Sequence, residues 1–318
     1  MTLISVVLCS FNGAATLSQT LREMADVIID GFAVEFILVD NASHDDTLAI
    51  LRRAALPGAM KVLAEPRQGK SHALNRGVSE ATGELIVFTD DDVLPASGWL
   101  GAFYRAAREH PEIVAFAGQV RPEWQAPPPR WLEALADMGR AFGATPSRFN
   151  DRVQPVPFWA FKGANMMIRR SALAAAPFDT GVGNYGPGAI GGEDVGLVKQ
   201  LLDAGQQGLF VPDALVRHLV RPEQIGLRPV WQREVRIGRV MAARPDFSRE
   251  QFAPWILGHS LEGWLRAAGL VMRAARYAAS GRTPRAARAL ADLARLRGQL
   301  RQSAMPAKSA SLDAERRG

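Results

Sequence analysis

Short apolar strand patterns alternate with helical patterns through the first part of the chain. Strands are predicted at residues 3–9, 34–39, 61–64 and 85–88, and helices at residues 14–29, 47–55 and 71–81. Strict alternation of this kind predicts an α/β fold, in which a mainly parallel sheet is flanked by helices and the crossovers are right-handed.

Polar side chains stand directly after three of the predicted strands. Ser10 and Asn12 follow the first strand, Asp40 and Asn41 follow the second, and three consecutive aspartates follow the fourth. Because the carboxyl ends of neighbouring parallel strands lie at one edge of a sheet, we expect these groups to converge there. Open α/β sheets bind their ligands at that edge.

The three aspartates are Asp90, Asp91 and Asp92. Carboxylates packed this closely repel one another, and a cation bound between them offsets the repulsion. Oxygen ligands on adjacent side chains suit Mg²⁺ or Mn²⁺, which bind through one or two carboxylates together with substrate phosphates. The alternative is a solvated loop in which the acidic groups cap a helix.

Composition places the chain among ordinary globular proteins. It has 318 residues, of which 47% are hydrophobic and 22% are charged. A single cysteine, Cys9, excludes an intrachain disulfide framework, so we expect a reducing compartment and a cytoplasmic protein. The N-terminus lacks the basic region of a secretory signal, and no apolar run is long enough to predict a membrane span.

The positive charge is concentrated at the C-terminal end. The formal net charge is +6, but residues 266–318 contain twelve basic and three acidic residues, so the rest of the chain carries −3. A nucleic-acid-binding domain would be basic on its own working face. We therefore expect no nucleic-acid partner for the main domain.

The second half of the chain is less regular. Pro-rich segments bracket residues 124–158, a plausible insertion on the acceptor side. Further strands are predicted at residues 162–169, 208–212 and 214–218, and a helix at residues 195–204. Residues 181–192 are rich in glycine and predict a mobile loop directly before Glu193 and Asp194.

Five segments carry a resemblance to a known family. They are SVVLCSFN at residues 5–12, ILVDNAS at 37–43, GKSHALN at 69–75, TDDD at 89–92 and GED at 192–194. In this order and spacing they resemble the family 2 glycosyltransferases, which have the GT-A nucleotide-sugar-binding fold. The resemblance covers about residues 3–220, and each motif alone is weak.

The resemblance implies a division of the chain. Residues 1–227 would form the GT-A catalytic domain, with a nucleotide-binding half at 1–95 and an acceptor-binding half at 96–227. Residues 228–305 would form a helical, basic C-terminal extension, and residues 306–318 a disordered tail.

The resemblance also implies a set of residues that bind the nucleotide-sugar donor. Asp40 would accept a hydrogen bond from the base, although it could instead cap the following turn, and Asp45 could simply cap its helix. Phe11 could stack on the base. We interpret Cys9 as a buried structural thiol rather than a nucleophile. Lys70, near a helix N-terminus, suits a diphosphate but could be a surface lysine. The full predicted set is Cys9, Ser10, Phe11, Asn12, Asp40, Asn41, Asp45, Lys70, Asn75, Asp90 and Asp91.

Metal binding and catalysis are implied for a second set. Asp92, with Asp90 and His218, would hold Mn²⁺ or Mg²⁺ on the diphosphate, although an isolated histidine such as His218 is often structural. Asp194 would be the general base and Glu193 would orient the acceptor. The alternative is that both acidic groups complement the N-terminus of their helix.

The C-terminal pattern is amphipathic and basic. Apolar residues from Trp255 and Leu257 to Met272 alternate with arginines, which is typical of a helix on an anionic membrane surface. Packing against the catalytic domain or a dimer partner is the alternative. The Q-x-x-R-W motif of processive synthases is absent, because Gln232 is followed by Arg-Glu-Val.

The predicted activity is inverting, non-processive transfer from a UDP- or dTDP-sugar to a cell-surface glycan or lipid-linked acceptor. The enzyme would be cytoplasmic, and peripheral attachment to the inner face of the cell membrane stays open. Two other classes remain open, namely a sugar-phosphate nucleotidyltransferase and a catalytically inactive membrane-associated scaffold. The former should carry a Gly-rich N-terminal signature with Arg and Lys, which SFNGA at residues 10–14 lacks.

Overall fold

A computed structural model describes residues 1–149, 152–181, 192–243, 255–256 and 259–303. The chain forms two compact units. The first contains Met1–Pro128 and Glu133–Pro222, and the second contains Pro129–Leu132 and the chain from Glu223 onward. The glycine-rich loop and the disordered tail predicted from the sequence fall on residues 182–191 and 306–318, outside the described residues.

The first unit begins with the alternation that the sequence predicts. Its elements are β1 (Leu3–Ser10), α1 (Ala14–Ala25), β2 (Ala33–Asp40), α2 (Thr47–Arg52), β3 (Ala59–Ala64), α3 (Lys70–Glu80) and β4 (Leu85–Asp90). The helix predicted at residues 14–29 ends at Ala25, because the chain turns there and Ile28 N bonds instead to Ser97 O at 2.9 Å.

The second half of this unit completes the sheet. Its elements are β5 (Val93–Pro95), α4 (Trp99–Glu109), β6 (Ala115–Trp124), β7 (Gln154–Pro155), β8 (Asn165–Arg169), α6 (Glu193–Asp203) and β9 (Gly208–Val220). Helix α5 (Arg130–Asp137) begins in the second unit and continues in the first. The prediction of two strands at 208–212 and 214–218 was wrong. They are one strand, and a register shift against β6 between Gly118 and Gln119 accounts for the apparent break.

The strands form one mixed sheet in the order β3-β2-β1-β4-β8-β6-β9-β5, with β7 beside β9. Pairings among β1, β2, β3 and β4 are parallel, as is the pairing of β6 with β9, whereas β8 runs antiparallel to β4 and β6. Apolar side chains are buried on both faces of the sheet. One cluster joins it to α1 and α4, and the other joins it to α3 and α6. This confirms the predicted α/β architecture.

The second unit contains α7 (Leu227–Ala243), α8 (Leu261–Ala279) and α9 (Thr283–Ser303). The backbones of α7 and α9 approach closely, since a Cβ atom on Gly238 would lie 1.9 Å from Arg295 O and one on Gly298 would lie 1.9 Å from Val235 O. Beside this crossing, Arg295 pairs with the fully buried Glu234 at 2.6 Å.

The predicted amphipathic helix begins later than its sequence pattern suggested. Trp255–Ile256 and His259–Ser260 form a short antiparallel pair, and α8 begins at Leu261. Leu257 lies outside the described residues. None of the helices in the described ranges combines the length and the apolar character that crossing a bilayer requires.

Candidate active site

The candidate site lies where β1, β2 and β4 end side by side. Ser10 is the register partner of Asp40, and Cys9 is the register partner of Asp90. The three polar clusters that follow these strands therefore meet at one edge of the sheet, as the alternation predicted.

Asp40 is a buried carboxylate that is only partly satisfied. Its Oδ2 atom accepts a hydrogen bond from Ser43 N at 3.4 Å. Its Oδ1 atom is buried and has no hydrogen-bond donor among the described residues. Because leaving a buried acceptor unpaired costs free energy, Oδ1 is placed to accept a hydrogen bond from a ligand.

Asn41, the next residue, is engaged by the protein itself. Its Nδ2 atom donates to Glu65 O at 3.3 Å and to Arg67 O at 2.8 Å, and its Oδ1 accepts from Gly69 N at 2.8 Å. These bonds hold the turn that leads from β3 into α3. In the described structure Asn41 therefore shapes the loop beside Asp40.

The turns after β1 and β2 are tied together in a strained conformation. Asn12 and Ala42 both have positive φ, at 52° and 57°. Asn12 N donates to Ser43 Oγ at 3.0 Å, and Asn12 Oδ1 accepts from His44 N at 2.8 Å. Backbone strain of this kind persists only where surrounding contacts over-determine it, and it clusters at functional sites.

The remaining residues of the predicted donor set are distributed unevenly. Phe11 is 45% exposed and lies edge-on to the His44 ring, with 6.4 Å between the ring centroids. Cys9 lies in an apolar cluster, and burial raises the pKa of its thiol. Asp45 accepts hydrogen bonds from Thr47 N at 3.0 Å and Ala14 N at 3.1 Å, so it caps the start of α2.

Asn75 uses its amide on the backbone of Phe178. Asn75 Nδ2 donates to Phe178 O at 2.8 Å, and Asn75 Oδ1 accepts from Phe178 N at 2.9 Å. In the described structure the amide thus joins α3 to the segment that follows β8, and its predicted contact with the donor stays a prediction.

Lys70, at the first turn of α3, pairs with Asp90 at the end of β4, with 2.5 Å between Nζ and Oδ1. Burial by itself lowers the pKa of Lys70, but the charges of Asp90, Glu193 and Asp194 outweigh it and raise the pKa above its ordinary value. One cation therefore serves the acids of β4 and those of α6.

Asp91 is engaged by the turn that follows β1. Its carboxylate accepts a short hydrogen bond from Ser10 Oγ, and its backbone oxygen accepts one from Thr20 Oγ1 at 3.0 Å. A Cβ atom on Gly13 would lie 2.1 Å from Asp91 Oδ2, so this contact requires glycine. Burial, reinforced by the charges of Asp92 and Asp90, raises the pKa of Asp91 to about 7.

Asp92 and His218, predicted as metal ligands, lie together. Asp92 Oδ2 is 3.4 Å from His218 Nε2, and the pairing of β5 with β9 holds the two segments in place. Within the described ranges no group of three or more His, Cys, Asp or Glu side chains could hold a metal ion. A cation at this pair would thus need its other ligands from substrate or water.

Glu193 and Asp194 begin α6. Asp194 Oδ2 accepts a hydrogen bond from Gly163 N at 2.6 Å, and its Oδ1 accepts one from Val195 N at 2.8 Å. Glu193 is buried, and its Oε2 has no hydrogen-bond partner among the described residues. Burial, reinforced by the charge of Asp194, raises the pKa of Glu193.

Three residues of this region escaped the sequence analysis. Gly13 permits the Asp91 contact, Gly163 holds Asp194, and Trp159 is a 40% exposed aromatic side chain four residues before Gly163. Glycine in the first turn and the aromatic-rich run FWAFKG before the predicted strand at 162–169 were visible signals. The partners of the two glycines, Asp91 and Asp194, lie 31 or more positions away in sequence.

The chain is similar in sequence to known glycosyltransferases. The sequence model described as Glycosyl transferase family 2 matches residues 5–175, more than half of the chain. The chain is 26% identical over 248 residues to the succinoglycan biosynthesis protein ExoM of Rhizobium meliloti, covering 74% of this chain and 73% of that protein. It is 31% identical over 113 residues to the cholesterol galactosyltransferase of Borreliella burgdorferi, of which the match spans only 31%.

Two solved structures share the fold. The mannosyltransferase PcManGT of Pyrobaculum calidifontis, in complex with GDP-Man and Mn²⁺, has a TM-score of 0.54 at 21% identity. That alignment covers 99% of this chain and 79% of the other. GalNAc-T7 with UDP, GalNAc and Mn²⁺ has a TM-score of 0.52 at 20% identity, covering 80% and 52%. The predicted GT-A fold is confirmed.

Proposed function

Because the chain belongs to glycosyl transferase family 2, we propose that it transfers a sugar from a nucleotide-diphospho-sugar to a hydroxyl group of an acceptor. The observation that supports the proposal is Lys70, which pairs with Asp90 at 2.5 Å and whose pKa is also raised by the charges of Glu193 and Asp194. The acids predicted to bind the donor and those predicted to serve the acceptor therefore act on one lysine.

We propose that Asp40 binds the nucleobase of the donor. Its buried Oδ1 has no donor among the described residues, and the N3–H of uracil or thymine would supply one. Phe11 is exposed and directly follows Ser10, the register partner of Asp40, so it offers an aromatic face for stacking. We therefore propose a UDP- or dTDP-sugar as the donor.

We propose that the diphosphate is bound by Lys70 and by a divalent cation held by Asp92 and His218. Asp92 and His218 offer a carboxylate oxygen and an imidazole nitrogen 3.4 Å apart, which fits a divalent cation such as Mn²⁺ or Mg²⁺ whose other ligands are phosphate oxygens and water. When bound, that cation would offset the negative charge that develops on the departing nucleoside diphosphate. Lys70 adds a fixed positive charge at the start of α3.

We propose that Asp194 is the general base that removes the proton of the acceptor hydroxyl. As the acceptor oxygen bonds to the anomeric carbon, the bond from that carbon to the phosphate oxygen breaks, and its electron pair leaves with the diphosphate. The acceptor proton passes to Asp194, which the N–H groups of Gly163 and Val195 hold in place. Glu193, the neighbouring buried acid, orients the acceptor. A single displacement of this kind inverts the anomeric configuration.

The acceptor is proposed to be a cell-surface glycan or a lipid-linked sugar. Trp159 supports this choice, because an exposed indole close in sequence to the residue that holds Asp194 provides an apolar surface with a polar rim. A sugar ring has matching apolar and polar faces.

The donor assignment is tested by thermal shift with UDP, dTDP, GDP and ADP, each with and without Mn²⁺. We expect UDP or dTDP to raise the melting temperature more than GDP or ADP does. The full increase should require Mn²⁺. Asp92→Asn should abolish the dependence on Mn²⁺. Failure of every nucleoside diphosphate to bind would overturn the proposal in favour of an inactive scaffold.

The base assignment is tested by Asp194→Asn in a transfer assay that measures released nucleoside diphosphate with extracted lipid-linked glycans as acceptors. We expect kcat to fall about 100-fold or more while the thermal shift with the nucleotide is retained. Asp203→Asn, on the same helix with a largely exposed side chain, is the matched control. Full transfer by Asp194→Asn would remove the base assignment, and release of pyrophosphate from a nucleoside triphosphate would indicate a nucleotidyltransferase.

A further inference from the structure

Helix α8 leaves several large apolar side chains exposed to solvent. Its buried or half-buried positions are Gly263, Ala267, Gly269, Leu270, Ala274 and Tyr277, and Arg285 of α9 lies over the Tyr277 ring at 5.9 Å. A helix of a water-soluble bundle normally turns its bulky apolar residues inward and presents polar residues to solvent.

The exposed apolar residues form one continuous stripe. Trp264, Leu265, Val271 and Met272 are 48%, 65%, 51% and 66% exposed. Their spacing of one, seven and eight residues places them on the same side of the helix, with the exposed Ala268 and Ala275 between them. Scattered exposed apolar residues are ordinary, but a continuous stripe marks an interaction surface.

Strong positive charge accompanies this stripe. The two helices and their connection, residues 261–303, contain nine arginines and no lysine against Glu262 and Asp292, a net charge of +7. Arg266, Arg273 and Arg276 are exposed on α8 itself. Since the whole chain carries +6, the remainder is close to neutral, at −1.

We propose that this stripe and its arginines dock on an anionic lipid bilayer, with α8 lying in the interface. Apolar side chains would enter the boundary between headgroups and acyl chains, and the arginines would bind lipid phosphates. Negative surface potential complements the +7 charge. A second copy of the same hairpin would bring two such charges together, so self-association is disfavoured. This docking goes beyond the proposed transfer reaction and does not depend on it.

Sedimentation of the full-length protein with lipid vesicles tests this surface. We expect binding to phosphatidylcholine vesicles that contain phosphatidylglycerol, little binding to pure phosphatidylcholine, and release by salt. Leu265→Glu combined with Met272→Glu should weaken binding about tenfold or more, because it removes apolar burial and adds negative charge. Leu227→Glu, at a 59% exposed leucine on α7, is the matched control and should bind as wild type.

Replacement of Arg266, Arg273 and Arg276 by glutamine should remove most of the preference for anionic vesicles. Unchanged circular dichroism of each variant shows that the helices are retained. Equal binding to neutral and anionic vesicles, or unchanged binding by the Leu265/Met272 variant, would overturn the proposal. So would absence of vesicle binding together with a dimer that Leu265→Glu converts to a monomer, which would assign the stripe to a second copy.

Discussion

Strand β2 carries a buried carboxylate near each end, and the two differ in how many hydrogen bonds they accept from the protein. Near its start, Glu35 Oε1 accepts hydrogen bonds from Ser5 Oγ at 2.6 Å, Thr82 N at 2.7 Å and Thr82 Oγ1 at 2.8 Å. At its end, Asp40 accepts one long bond and leaves Oδ1 without a donor among the described residues. Both side chains are buried, at 6% and 4% exposure.

The same contrast extends to the charges at the two edges of the sheet. Burial alone would raise the pKa of Glu35, but the hydrogen bonds from Ser5 and Thr82 and the charge of Lys61 lower it. At the other edge, burial and the neighbouring carboxylates raise the pKa of Asp91 to about 7. At the edge that carries Glu35, the buried acid is satisfied by the protein itself. At the edge that carries Asp40 and Asp91, the acids are crowded or lack a hydrogen-bond donor among the described residues. A cationic or hydrogen-bonding ligand would stabilise them.

Glu35→Ala should have the largest effect on stability. Charge-assisted hydrogen bonds are lost and the donors of Ser5 and Thr82 are left without this acceptor, so the free energy of unfolding should fall by about 3 kcal/mol. Urea denaturation measures this loss. Because Glu35 lies at the opposite end of β2 from the site, the affinity of the folded variant for the nucleotide should stay at the wild-type value.

Asp40→Ala should produce the converse result. We expect the affinity for the nucleoside diphosphate to fall about tenfold, since a hydrogen bond to a charged acceptor is removed, with less than about 1 kcal/mol lost from stability. Titration calorimetry and urea denaturation give the two values. A loss of stability as large as that of Glu35→Ala would contradict the contrast between the two ends of β2.

Gly13→Ala should disturb the site edge by a smaller amount. The added methyl group would meet Asp91 Oδ2 and Ser10 Oγ, so we expect about 1 kcal/mol of destabilisation and a several-fold loss of transfer activity. Gly98→Ala is the control, because its Cβ would meet nothing within 4 Å. Equal behaviour of the two variants would show that the close contact at Gly13 is unimportant.

The pH dependence of stability should have opposite signs at the two edges. Glu35 has a lowered pKa, so its stabilisation is complete above the ordinary pKa of 4.5 and is lost as the pH falls below that value. Asp91 has a pKa raised from 3.8 to about 7, so the folded state binds the extra proton between those values, and stability falls as the pH rises through them.

Urea denaturation of metal-free protein tests these signs. Asp91→Asn should exceed the wild type in stability by about 1 kcal/mol near pH 8, and the difference should vanish near pH 4. Glu35→Gln should be less stable than the wild type near pH 7, with a difference that shrinks as the pH falls toward 4. The same sign of pH dependence for both differences would remove the electrostatic contrast.

Much of the fold was predictable because its signals are local. The alternating strands and helices from Leu3 to Asp90 and the convergence of Ser10, Asp40 and Asp90 follow from apolar periodicity and the geometry of parallel strands. The pairing of Asp92 with His218 was predicted only through the family resemblance, because the strand β5 that brings them together was not predicted. The failures have local causes as well. A register shift made β9 resemble two strands, and the apolar residues before Leu261 imitated a continuation of α8.

The sequence by itself determined the family, the order of the elements from β1 to β4 and the sheet edge that carries the acids, because each is written in residue types and spacing. Only the tertiary structure decided which polar groups are already engaged. Asn41 is occupied by the turn after β3 and Asp91 by Ser10, whereas one oxygen of Asp40 has no hydrogen-bond donor in the part of the chain that the structure describes. Hydrogen-bond partners that lie tens of residues apart in sequence meet only when the chain folds. The exposed stripe of α8 was decided in the same way, because packing of another side of the helix left Trp264, Leu265, Val271 and Met272 facing solvent.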